Sequence, residues 1–82
     1  MFDFSDKVCL MVLASKLDEE KYNKDDVLLK MHRVATNLVF SACNDALECM
    51  VNRDYISIKD RYYTITDKGR DALSKILNNN WN

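Results

Sequence analysis

Tyr55-Ile56-Ser57-Ile58-Lys59-Asp60-Arg61-Tyr62-Tyr63-Thr64-Ile65-Thr66-Asp67-Lys68-Gly69-Arg70 is the stretch that decides the fold of this 82-residue chain. It reads as two short strands, a turn and the start of a helix. Side chains alternate sides along a strand, so Ile56 and Ile58 share one face of the first strand. Tyr63 and Ile65 share one face of the second. Lys59-Asp60-Arg61 is the turn. It lacks the Asn-Gly or Asp-Gly of an ideal two-residue loop, so a slightly longer loop is expected. Thr66 offers a side-chain oxygen to cap the next helix, and Asp67 puts negative charge in its first turn. That helix should run from about Asp67 to Leu77, with Ala72, Leu73, Ile76 and Leu77 on its inner face. Asn78-Asn79-Asn80 favours a tail over a helix. Trp81 in that tail either folds back on the core or meets a partner.

Upstream of the hairpin the apolar residues fall at helical spacing. Val39, Phe40, Cys43, Ala46, Leu47, Met50 and Val51 form one stripe of a third helix that should end near Val51, with Thr36 or Asn37 as its cap. Asn52-Arg53-Asp54 then leads into Tyr55. Val27, Leu28, Met31 and Val34 mark a second helix that should start near Lys24 or Asp25. Asp25 and Asp26 at its start and His32 and Arg33 at its end suit the helix dipole. A charged connector, 18–24, precedes it. The first helix should run from about Asp6 to Leu17 with Ser5 as cap. Its run Val8 to Ala14 is apolar nearly all round, so it is buried on more than one side. Two arrangements satisfy that pattern: a central core helix, or a helix with one face on a second subunit beside Phe2 and Phe4.

Composition narrows the function. The chain is 48% hydrophobic, enough for one packed core, and its length suits one domain over residues 1–82, with 1–5 as an N-terminal segment and 78–82 as a tail. No apolar run is long enough to span a membrane, and the N-terminus makes a poor secretion signal, so a cytoplasmic protein is expected. Cys9, Cys43 and Cys49 are odd in number and sit in apolar contexts, which argues against a disulfide framework. Neither a Cys–His dyad with His32 nor a zinc site has a recognisable spacing, and the single glycine rules out a glycine-rich phosphate loop. No enzyme, metal or cofactor is expected. Tyr55, Tyr62 and Tyr63 read as strand-formers and core rather than a base-stacking platform. The net charge of −1 hides an asymmetry: residues 1–52 carry −3, and residues 53–82 carry +2.

Three helices, a hairpin and a closing helix are the order of the winged helix-turn-helix. The chain resembles small regulators of the MarR and PadR type. The likeness rests on Leu47, Met50 and Val51, on Asp54-Tyr55-Ile56, and on Tyr63-Thr64-Ile65-Thr66-Asp67-Lys68-Gly69-Arg70 with Leu73. It covers about residues 47–77. It implies a mainly α chain with a small β-hairpin (α+β), of order α-α-α-β-β-α, in which Gly69 lets the last helix approach its neighbours closely. It further implies a homodimeric transcriptional regulator that binds double-stranded DNA. Thr36, Asn37, Ser41 and Asn44 would face the groove, and Lys59 and Arg61 on the wing would meet phosphate. Dimerisation would use Phe4, Met11 and Trp81. The chain departs from that pattern in its third helix: no Lys or Arg lies between Thr36 and Asn52, whereas Asp45 and Glu48 do. That departure suits a second reading, a winged-helix interaction module, such as a phage or plasmid encodes, that binds a host protein through its acidic third helix.

Overall fold

The computed structural model describes residues 2–79, and the dimer residue expected at Trp81 lies outside them. Its elements run α1 (Phe4–Ala14), α2 (Lys24–Val34), α3 (Phe40–Asn52), β1 (Ile56–Lys59), β2 (Tyr62–Ile65) and α4 (Asp67–Asn79). This is the winged-helix order, mainly helical with one antiparallel hairpin.

Helix α1 starts at Phe4 rather than Asp6 because Asp3, not Ser5, is its cap. The Asp6 N–H donates to Asp3 Oδ1 at 2.9 Å and the Asp3 N–H donates to Asp6 Oδ2 at 3.1 Å, a reciprocal pair that satisfies two orphan donors. Asp6 is only 6% exposed. That burial raises its pKa above the ordinary 3.8, and the neighbouring Asp3 charge adds to the rise. The first arrangement left open for α1, a central core helix, accounts for most of its faces. Val8, Cys9, Leu10, Val12 and Leu13 are all buried, and α1 packs against α2, α3, α4 and β2. Burial pushes the Cys9 thiol up to about 12, and raises that of Cys43 as well. Phe4 and Met11 remain exposed on the stripe that no other element covers.

Asn23 caps α2 through the same reciprocal arrangement with Asp26. The connection to α3 is longer than the residue pattern suggests. Ala35 and Leu38 are buried, the Leu38 N–H donates to the Ala35 carbonyl at 2.9 Å, and His32 Nδ1–H donates to the Leu38 carbonyl at 2.8 Å. These ties hold the turn through residue 38 and delay α3 until Phe40. Thr36 and Asn37 therefore cap nothing. The N-cap is Val39, with no side-chain bond to the helix. Val39 and Phe40 also leave the expected apolar stripe: they are 62% and 46% exposed, while Cys43, Ala46, Leu47 and Met50 are buried.

The exit from α3 is a Schellman motif. The Tyr55 N–H donates to the Met50 carbonyl and the Asp54 N–H to that of Val51, with Asp54 at φ 65° where glycine is commoner. Across the hairpin Ile56 pairs with Ile65, Ile58 with Tyr63, and Lys59 with Tyr62. The loop is therefore only Asp60-Arg61, tighter than expected. Both residues have positive φ, 52° and 68°, the signature of a type I′ turn built without glycine. Ile56 is buried but Ile58 is 47% exposed, because β1 runs beyond the core. Tyr22 adds an isolated bridge to Tyr63, so the far edge of β2 is covered as well.

Thr66 caps α4 as expected, accepting from the Gly69 N–H at 3.0 Å and donating to the Asp54 carbonyl at 2.7 Å. Gly69 is buried, and a Cβ there would overlap the Tyr55 carbonyl oxygen and lie 2.7 Å from Ile65 Cγ1. The close approach of α4 to the hairpin thus depends on this glycine. The helix continues to Asn79 rather than ending at Leu77, and Leu77 is 44% exposed instead of lying on the inner face with Ala72 and Leu73.

Candidate nucleic-acid interface

A helix repeats every 3.6 residues, so the burial of Cys43, Ala46, Leu47 and Met50 turns the opposite side of α3 outward. That side carries Ser41, Asp45, Glu48 and Asn52, all exposed. Asn44 sits at its margin, half-buried. Its Nδ2 donates to Glu48 Oε2 at 3.3 Å, and its Oδ1 is buried without a hydrogen-bond partner. Reading an adenine through this amide would first require release of Glu48. Thr36 and Asn37 lie exposed on the turn before α3.

Lys59 ends β1, where it lines a hollow with Lys16, Asp18, Glu20 and Lys21, and Arg61 lies in the turn. Both are exposed, and neither has an ion-pair partner among the described residues, where the ion pair found is Lys75 with Asp71 at 3.2 Å. Of the other cations in the basic half, Arg53, Lys68 and Lys75 are engaged, whereas Arg70 is exposed in the first turn of α4. Arg53 lies 5.0 Å from the Phe2 ring and 5.1 Å from that of Tyr55. Lys68 lies 4.8 Å from the Tyr55 ring on which Phe2 also packs edge-on, and it donates to the Arg53 carbonyl at 3.0 Å. Two cations thus hold the α3–β1 corner together, and two stand free at the wing tip.

A cleft of about 250 Å³ lies between α3 and the hairpin. Glu48, Val51 and Asn52 of α3 form one wall, Ile58 and Tyr63 of the hairpin the other, and Lys24 at the start of α2 closes it. At the opposite end, Phe40 meets Leu28, Leu29 and Asp25 of α2 across a shallow depression. The Phe40 ring stacks on His32, with centroids 5.0 Å apart and planes at 29°. The expected site residues therefore fall into two groups on different elements. Thr36, Asn37, Ser41 and Asn44 cluster about the front of α3, and Lys59 and Arg61 form the tip. Val39, Phe40 and Lys24 belong to the same surface but are absent from the sequence-based set, because an apolar stripe and a helix start account for them in the sequence.

No group of three or more metal-ligating side chains occurs among the described residues, and no described helix is long and apolar enough to cross a membrane. No family model matches the chain. No curated protein matches it either. Among solved structures it is similar to the crystal structure of Bacillus subtilis PadR, with a TM-score of 0.68 and 18% sequence identity. The likeness covers 94% of this chain and 44% of that one, so the chain spans less than half the length of the protein it matches. The fold is a PadR-like winged helix.

Proposed function

We propose that this chain is a DNA-binding winged-helix protein that acts as a transcriptional regulator, with α3 at the major groove and the wing tip on phosphate. The observation that carries this reading is the wing tip itself. Arg61 holds φ 68° in a position where glycine costs least, and both tip cations are exposed and unpaired among the described residues. Backbone strain kept at an exposed cation points to a contact made by that cation. Thr36, Asn37, Ser41 and Asn44 supply polar groups at the groove, and Lys59 and Arg61 neutralise phosphate. Phe4 and Met11 recur seven residues apart on the uncovered stripe of α1 and, with Trp81, give a homodimer seam. Two recognition helices would then meet half-sites about one turn of DNA apart, ~34 Å.

The experiment is a gel-shift titration against duplex DNA across a salt series. Micromolar or tighter binding that weakens steeply with log salt supports phosphate contact. Absence of a shift at low salt rejects the reading. A second reading, a module that binds a basic protein partner, draws on the outward face of α3, where Asp45 and Glu48 stand without a cation. Conversion of both to Lys should then abolish a complex recovered by pull-down. Retention of the partner at full affinity would reject that surface.

A further inference from the structure

We propose that Val39 and Phe40 form an apolar reading head for the 5-methyl groups of thymine, so that the base pairs under the start of α3 are A·T. The proposal rests on the DNA-binding reading above and adds to it which bases are read. The N-terminal residues of a recognition helix are those that meet base edges in the major groove. Here those residues are large, apolar and open: Val39 is 62% exposed and Phe40 46%. Leu29, 47% exposed, extends the same surface beside Phe40. Exposed apolar side chains gathered in one place mark a contact surface.

The surface is also held in place before anything binds. Phe40 is backed by the His32 ring, and His32 is anchored by its Nδ1–H to the Leu38 carbonyl at 2.8 Å. Little side-chain freedom remains to be lost when the outer face of Phe40 is covered.

The polar groups nearby argue against direct reading of guanine. Guanine offers only acceptors in the major groove, its N7 and O6, and its usual reader is Arg or Lys. No Arg or Lys lies between Thr36 and Asn52. The outward carboxylates of Asp45 and Glu48 are acceptors, which repel the guanine edge and suit an amino group of adenine or cytosine alike, so they do not choose between A·T and G·C. The donor Nδ2 of Asn44 is already held by Glu48. The choice therefore falls to the apolar pair, Val39 and Phe40, and the thymine methyl is the one apolar group on a base edge in that groove.

The test uses three 30-base-pair duplexes: alternating A/T, the same sequence with deoxyuridine for every thymidine, and alternating G/C. Deoxyuridine removes the methyl and leaves the pairing intact. The expected result is tightest binding to the A/T duplex and about fourfold weaker binding for each contacted methyl removed, the ~0.8 kcal/mol of one buried methyl group. Val39→Ala with Phe40→Leu, a pair that keeps a folded helix start, should shrink the thymidine-to-deoxyuridine ratio toward one. Lys59→Glu with Arg61→Glu should weaken every duplex alike and leave that ratio intact. Equal affinity for the thymidine and deoxyuridine duplexes, with salt-dependent binding to both, overturns the reading head and leaves DNA binding standing. Absence of binding to all three at low salt overturns both.

Discussion

Helix α3 and the wing tip are built in opposite ways. The outward face of α3 is acidic at Asp45 and Glu48 and apolar at Val39 and Phe40, on a backbone without strain. The wing tip is cationic at Lys59 and Arg61, on a turn with two positive φ angles. In many DNA-binding helices one element supplies both attraction to phosphate and discrimination among bases. Here the two tasks are divided: charge stands on the hairpin and shape stands on the helix. Affinity and specificity should therefore respond to different substitutions.

The comparison presupposes that the two regions share one rigid frame, and Gly69 tests that first. Gly69→Ala places a methyl against the Tyr55 carbonyl, at the corner where α3 passes into β1. It should lower stability by about 3 kcal/mol, read from the urea midpoint. Wild-type stability in that variant would mean that α4 and the hairpin are not in register as described.

The second test sets the two surfaces against each other. Lys59→Glu with Arg61→Glu should weaken DNA binding by about a hundredfold at low salt and make the salt slope shallower by about two per protomer. The thermal midpoint should not move. Asp45→Asn with Glu48→Gln should do the reverse, tightening binding by about threefold to tenfold through removal of two like charges near phosphate. If the second pair weakened binding instead, the carboxylates would be base contacts, charge would act on the helix as well as on the hairpin, and the division of tasks would fail.

Arg61→Gly separates strain from charge. Glycine relieves the positive φ at 61, so the variant should be about 1 kcal/mol more stable, while its affinity for DNA falls. Calorimetry and a gel shift on one preparation read both. A variant that is more stable and binds as well as the original would remove the argument from strain.

The smallest effect concerns Asp6, beneath the frame that carries both regions. Its folded pKa is raised by burial, so the folded chain holds this proton more tightly than the unfolded chain. Its contribution to stability is therefore present below the unfolded value and is lost as pH rises through the raised folded value. Asp6→Asn keeps an oxygen for the Asp3 N–H and removes the titration. Its urea midpoint should change less between pH 4 and 7 than that of the original chain. A steeper change in the variant would contradict the assignment.

Much of the fold was legible in the sequence because its signals are local. That Ile56 and Ile58 share a face, as Tyr63 and Ile65 do, follows from alternation, the cap at Thr66 from residue type, and the close approach at Gly69 from the resemblance. What escaped depends on contacts distant in sequence or on tolerated strain. The late start of α3 is set by His32 reaching the Leu38 carbonyl, which no capping pattern at Thr36 or Asn37 reveals. The two-residue turn uses Asp60 and Arg61 where propensity asks for glycine. The bridge from Tyr22 to Tyr63 joins a connector to a strand across a long stretch of chain. Of the surface proposed for DNA, the polar residues could be named from a resemblance. Val39 and Phe40 could not, because exposure of an apolar residue at a helix start is decided by where the helix begins.

The Tyr22 bridge has a mechanical consequence. With Tyr63 opposite Ile58 in register on one side and its N–H donated to the Tyr22 carbonyl at 2.8 Å on the other, the hairpin is clamped along both edges of β2 up to one residue pair from its tip. Only Lys59, Asp60, Arg61 and Tyr62 overhang the clamp, a cantilever of about two strand residues, ~7 Å. A beam that short is stiff, and its end charges cannot sweep out to search for a distant phosphate. Any strand that the tip touches must already be seated on the body of the protein.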